Sequence, residues 1–460
     1  MKKLIAIFCS LLLLASARST DPTKVRLPNA KIDPSVLAES RNFGIKMPKN
    51  DHLDHIFPDG FIWGVATSAF QNEGGDGKTD WDSWASEKGI RSGFVGFTKT
   101  DILLAKKYGV QCIRTSIEWG RVEPAEGIWD EQELDRSFQL AKFAKKNGVQ
   151  MMINLNHFTL PKWAAKKGGW ENDDLPALFA AYAEKVAQKF KPLDIEYWMT
   201  FNEPIVLLAE GYLNGAFPPF RNGDLHGVIS ARRNIIRAHR AAYDALHRVS
   251  DTRRKRIRVG IAHSTSYYVP ARIQSEDDQK ATTVLDFIMN TDFIDAIEDR
   301  LDYIGLNYYS GWLIKFNPWS FFFGVPVEYV NTKNSDDSVY PEGLYRIVRE
   351  FARYHKPIIV TENGVNDGAD SKRPVFIMSH LLWLQKAAAE AGPDAPVIGY
   401  FYWTLFDNFE WVNGDCVTSH FGLFSVDPHT KERVPRPSAA VFRDISRANG
   451  LTRELLAKAK

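Results

Sequence analysis

Two glutamates end two apolar runs in the same manner. Glu203 closes Glu196-Tyr197-Trp198-Met199-Thr200-Phe201-Asn202 and meets Pro204; Glu362 closes Lys356-Pro357-Ile358-Ile359-Val360-Thr361 and meets Asn363-Gly364. A carboxylate at the end of a buried strand must be compensated there, which makes it a poor structural choice. At the carboxyl end of barrel strands it is where catalytic groups sit. Two facing carboxyls supply what acetal cleavage needs, one protonating the leaving oxygen and one attacking the anomeric carbon. The expected roles are Glu203 as acid and base and Glu362 as nucleophile. Asn202 is a candidate to hold the sugar 2-hydroxyl. Arg114 is a candidate to keep Glu362 ionised, and Tyr309 to donate its hydroxyl to the same carboxylate. In a retaining reaction the two carboxyl groups lie about 5 Å apart.

Eight strand-like runs can position these groups: 61–67, 112–119, 150–158, 196–203, 258–264, 301–309, 357–362 and 397–405. They are almost continuously apolar, as parallel strands covered on both faces must be. Between them lie patterns of helical period, among them 131–147, 175–190 and 228–249, and one that opens at Pro341. Alternating strands and helices predict an α/β fold, a single (β/α)8 TIM barrel with an N-terminal extension. The expected division is a signal peptide over 1–17, an extension over 18–56, the barrel over 57–450 and a tail over 451–460.

The chain has 460 residues with a formal net charge of +2, which gives no electrostatic case for nucleic acid. Its 13 Trp are mostly expected in the core. Lys2 and Lys3, the apolar stretch Leu4 to Leu14 and Ala15-Ser16-Ala17 read as an export signal. Cleavage after Ala17, and a periplasmic or secreted protein with no integral membrane segment thereafter, are expected; the apolar run is short for a span. Cys112 sits in a strand-like run and reads as a buried thiol. Cys416 completes the mature pair, and no disulfide framework exists. The basic run Arg253-Arg254-Lys255-Arg256 reads as a solvated turn. With neither His-Glu-x-x-His nor a glycine-rich phosphate loop, no metal or cofactor is expected.

The chain resembles family 1 of the glycoside hydrolases, the retaining β-glucosidase and β-galactosidase group, from about Phe57 to Ala440. Four stretches carry the likeness: Phe61-Ile62-Trp63-Gly64 through Gln71, Thr200-Phe201-Asn202-Glu203-Pro204, Thr361-Glu362-Asn363-Gly364, and Gly399 through Trp411. The resemblance implies that Gln71, His157, Asn202, Glu410 and Trp411 hydrogen-bond the terminal sugar. It implies that Trp403 is the platform beneath it and that Phe421 lies near its 6-position. Arg114, Asn307 and Tyr309 would tune the nucleophile. The implied reaction is hydrolysis of terminal β-D-glycosides, with β-glucosides expected first. A transglycosylase using the same residues and a catalytically silent carbohydrate-binding barrel are the alternatives.

Departures from the family pattern are Gly93 to Thr98 in place of a Tyr-His-Arg stretch, Thr115, Gly120 and His420. The first predicts a rearranged wall of the pocket. The apolar stretch Trp312 to Gly324, following the sixth strand, is read as a wall of the leaving-group site that favours aryl, alkyl or lipid-like aglycones.

Overall fold

The computed structural model describes residues 43–45, 53–89, 93, 95–250, 257–331, 338–414 and 418–457. The expected signal segment, Cys416 and the basic run 253–256 lie outside them.

Eight parallel strands form the barrel: β1 Ile62–Ala66, β2 Cys112–Ser116, β3 Gln150–Asn156, β4 Tyr197–Asn202, β5 Arg258–Pro270, β6 Ile304–Phe322, β7 Ile358–Asn363 and β8 Val397–Trp403. Each pairs with the next and β8 returns to β1, so the ring closes without an edge in its parallel part. Eight helices cover the outside: α1 Lys99–Lys107, α2 Glu131–Lys146, α3 Leu175–Phe190, α4 Leu225–Val249, α5 Glu276–Asp286, α6 Pro341–Phe351, α7 Arg373–Ala391 and α8 Pro437–Ala448. Asp130 caps α2 by accepting from the amides of Gln132 and Glu133. Asp224 caps α4 through Gly227, and Pro341 opens α6.

Strand alternation divides the apolar side chains into two layers. One set, including Met152, Tyr197, Met199, Tyr303 and Phe401, fills the barrel interior. The larger set, including Trp198, Phe201, Ile358 and Val360, packs outward beneath the helices. Cys112 is a free thiol in the inner layer. Below the barrel, His55–Ile56 pairs antiparallel with Gly450–Leu451, and Trp63 Nε1 donates to Asn449 Oδ1 at 3.0 Å. The segment just before β1 is thereby stitched to the segment just after α8 across the barrel floor.

Two strands outrun the sequence-based expectation. β5 continues to Pro270 and β6 to Phe322, and β6 turns back into an antiparallel strand, Val325–Tyr329. The stretch 312–324, expected to follow the sixth strand, instead continues it and turns back as a hairpin. Its apolar side chains were legible, but their partner is a satellite core with α5 containing Tyr268, Ala281 and Leu285.

Candidate active site

The site lies at the carboxyl ends of the strands, and backbone irregularities aim its residues. In β4, Met199 is level with Gly260 and Asn202 with Ala262, one residue more on β4 than on β5. Strict alternation from the inward Met199 would point Phe201 inward and Asn202 out. The extra residue leaves Phe201 against Trp170 and Phe179 on the helical side and turns Asn202 into the barrel. β7 has a matching irregularity, since Leu306 and Asn307 pair with Val360 and Glu362. Glu203, Phe158 and Trp411 each hold positive φ (46°, 75° and 52°). Bulky residues rarely adopt that backbone, and its clustering at one pocket is characteristic of functional sites.

Asn307 Nδ2 donates to Glu203 Oε1 at 2.8 Å and to Asn202 Oδ1 at 3.1 Å. Arg114 Nη2 donates to the same Asn202 Oδ1 at 2.6 Å, and its Nη1 forms an ion pair with Glu362. Tyr309 Oη donates to Glu362 Oε2 at 2.6 Å. One continuous network therefore runs from Glu203 to Glu362 with Asn202, Asn307 and Arg114 between. Arg114 is wholly buried, so the carboxylate beside it matches a charge that has no solvent to compensate it.

The two glutamates line a cavity of about 250 Å³ together with His157, Asn202, Tyr309, Trp403, Glu410, Trp411 and Phe421. Trp403 and Trp411 lie nearly parallel to the His157 ring, at 5.8 and 5.9 Å between centroids. Asn202 Nδ2 is 3.3 Å from His157 Nε2. Trp403 Nε1 and Gln71 Nε2 both donate to Glu410 Oε2, at 3.3 and 3.2 Å. Gln71 stands behind that carboxylate with its Oε1 taken by Ser68. Arg114 and Asn307 likewise support the cavity from behind. A wall of planar polar groups over indole faces suits a sugar ring.

Burial, reinforced by the charge of Glu362, pushes the Glu203 carboxyl up to about 8, against the pull of Asn307 and Arg114. Glu410 is raised to about 8 by burial and by Glu362, with Trp403 and Gln71 opposing. His157 is held well below its ordinary range by burial and by Arg114, which keeps it neutral. Tyr309 is pushed well above its range by burial and by Glu362, so it remains a donor. Among the described residues no group of three or more His, Cys, Asp or Glu is placed to hold a metal ion.

Phe158, Val206 and Phe217 also line the cavity and were not identified from sequence. Only position hinted at them: Phe158 follows His157, and Val206 lies three residues beyond Glu203. No part of 312–324 lines this cavity; the stretch packs instead against α5. Trp319 is ten residues beyond Tyr309 along β6, roughly 30 Å of extended chain. The departures also find physical reasons. A Cβ on Gly120 would meet Thr79 Cγ2 at 2.9 Å and Lys78 O at 3.0 Å, so a side chain there would push away the Lys78–Thr79 turn. In the segment replacing Tyr-His-Arg, Gly96 N donates to Asn72 O at 2.6 Å, which ties it to the short helix Ala69–Glu73 that carries Gln71. His420 Nδ1 lies 3.2 Å from Asp407, but it is Arg436 that grips this carboxylate with both Nη atoms.

A parallel eight-stranded barrel with paired glutamates over an indole floor defines a glycoside-cleaving class of enzyme. The description of glycosyl hydrolase family 1 matches residues 53–303 and 286–451, and the chain belongs to that family. A β-glucosidase A of Thermotoga maritima is 29% identical over 454 residues, covering 86% of this chain and 98% of its own. A β-galactosidase of Pyrococcus woesei is 30% identical over 516 residues, covering 87% and 99%. Among solved structures, a β-glycosidase from Pyrococcus horikoshii superposes with a TM-score of 0.79 at 32% identity, covering 88% of this chain and 98% of that one.

Proposed function

We propose that this β-glycosidase hydrolyses terminal, non-reducing β-D-glucosides with retention, using Glu362 as nucleophile and Glu203 as acid and base. The observation that carries the assignment is the asymmetry of the two carboxyls in one cavity. Glu362 sits in an ion pair with Arg114 and accepts from Tyr309, while Glu203 is raised to about 8 and so holds a proton at neutral pH. Glu362 attacks the anomeric carbon as Glu203 gives its proton to the departing oxygen. Glu203 then deprotonates water, which displaces Glu362 from the sugar. Asn202 and Asn307 hold the two carboxyls in register, and Trp403 carries the apolar face of the ring.

A panel of nitrophenyl β-glycosides on purified enzyme tests the sugar preference: glucoside should exceed galactoside and fucoside in kcat/KM, and a dominant galactoside would overturn that part. Glu362→Ala should lower kcat on the order of 10⁴-fold or more. Azide added to this variant should give the glycosyl azide of inverted configuration, because the small anion takes the vacated face. Retention of the first-formed sugar's configuration by NMR checks the double displacement; an inverted product rules it out. The Lys2 to Ala17 pattern further leads us to propose export with cleavage after Ala17, checked by N-terminal sequencing of protein from the periplasm or medium.

A further inference from the structure

We propose that Glu118 is a positioning residue for His157 of the cavity, acting through the hydroxyl of Thr159. His157, Phe158 and Thr159 form the turn that follows β3. The first two line the cavity; Thr159 does not, and it is buried. Phe158 holds φ at 75°, a backbone that costs a bulky residue and persists only where the surroundings over-determine it. From the cavity, ring contacts with Trp403, Trp411 and Phe217 meet the turn. The hydrogen bonds that fix its backbone come from elsewhere. Asn156 Nδ2 donates to Thr159 O at 2.8 Å. Asp80 N donates to Leu160 O at 3.0 Å, and Leu160 N donates to Asp80 Oδ1 at 2.9 Å. Thr159 Oγ1 lies 2.9 and 3.0 Å from the two carboxyl oxygens of Glu118.

Glu118 follows β2 and precedes the short helix Trp119–Val122. It is buried, and among the described residues its carboxyl forms no ion pair; the neighbouring Arg121 is taken by Glu73 and Glu133. A hydroxyl carries one proton, so against a carboxylate Thr159 serves only one of the two oxygens. Against the protonated acid both contacts are hydrogen bonds, because Thr159 donates to one oxygen and accepts from the other. Burial raises the Glu118 carboxyl to about 8, against the pull of Thr159 and Arg121 and with a push from Asp82 and Asp80. The acid form therefore prevails at neutral pH. A neutral, reciprocal pair leaves no bare charge at this depth, and its two bonds fix the rotation of Thr159.

The benefit of that fixation falls on His157. Asn154 Nδ2 lies 3.4 Å from its Nδ1 and Asn202 Nδ2 lies 3.3 Å from its Nε2, both at the long end for hydrogen bonds. Side-chain partners alone hold the imidazole loosely, so its place depends on the turn it belongs to. Displacement of a substrate-holding group by an ångström is enough to slow a reaction. The proposal rests on the reading that His157 holds the sugar, and it adds to that reading what keeps the ring in place.

The test is a double-mutant cycle on kcat/KM, run with whichever nitrophenyl β-glycoside wild type cleaves fastest. Glu118→Ala should lower kcat/KM about tenfold, the scale of coupling within one hydrogen-bonded network. Glu118→Gln offers Thr159 an acceptor and a donor, and should stay within about twofold of wild type. In a His157→Ala background, itself slower than wild type, Glu118→Ala should cost less than about twofold more, because the contact it positions is already gone. Thr159→Val keeps the side-chain shape without the hydroxyl; it should repeat both results and replaces Glu118→Ala if that variant does not fold. A further tenfold loss in the His157→Ala background would overturn the positioning role while leaving His157 as a sugar contact. Full activity of His157→Ala would overturn both. Equal losses in Glu118→Ala and Glu118→Gln would also overturn the proposal, as would a lowered melting temperature with kcat/KM of the folded enzyme unchanged.

Discussion

Glu203 shares its cavity with Glu362 and Glu410, and three carboxyls so close cannot all ionise independently. Its raised value, about 8, sets the basic side of the activity profile. The alkaline limb of kcat/KM should fall near pH 8, and Glu203→Ala should abolish that limb on an activated aryl glycoside while lowering kcat about 10²- to 10⁴-fold on a poor leaving group. The same shift has a stability consequence. Folded Glu203 holds its proton more tightly than the free side chain at 4.5, so its contribution is complete below about pH 4.5 and is lost as pH rises toward 8. Glu203→Gln should therefore melt a few degrees above wild type at pH 9, with the gap shrinking toward pH 5, as scanning fluorimetry would show. Both glutamates were legible because an acid ending an apolar run contradicts burial. Phe158, Val206 and Phe217 were not, because apolar side chains in a cavity wall look like core until the cavity exists.

At the scale of elements, the registers of β4 and β7 do most of the positioning, and no local sequence signal marks either irregularity. The hairpin on β6 shows the opposite case, in which apolar composition was plain but its partner was not. Asp278 of α5 ties the hairpin down by accepting from the Phe316 amide. Burial would raise its carboxyl, but hydrogen bonds from Arg272 and the Phe316 amide outweigh it and hold the value below the ordinary range. Asp278→Ala should cost about 2–3 kcal/mol in urea denaturation, because it orphans buried donors. The cost should be full above the free value of 3.8 and shrink as pH falls further toward the lowered folded value.

Across the whole molecule, closure depends on contacts between the beginning and end of the barrel. Asn449, in left-handed conformation at φ 54°, accepts from Trp63 Nε1 and donates to Phe57 O at 2.8 Å. Asn449→Ala should lose about 2 kcal/mol or more from the orphaned groups and the unfavourable backbone, and Asn449→Gly less, because glycine relieves the second cost. Chemical denaturation of the two variants orders them. Beyond this floor, Arg436 and Asp407 tie the start of α8 to the segment after β8, so α8 also steadies the wall that carries Glu410.

Strand and helix alternation, the barrel class and the two glutamates were legible from the residues, because burial on both faces leaves an apolar signature and an acid within it stands out, whereas Gln71, His157, Asn307 and Glu410 came only through the family resemblance. Tertiary structure decided that Gln71 lies behind Glu410, that β4 and β7 each slip by one residue at the site, and that the apolar 312–324 stretch continues β6 into a hairpin packed on α5. Those outcomes depend on register, bulges and contacts between residues hundreds of positions apart, and distance along a chain carries no information about which of two faces a side chain finally meets.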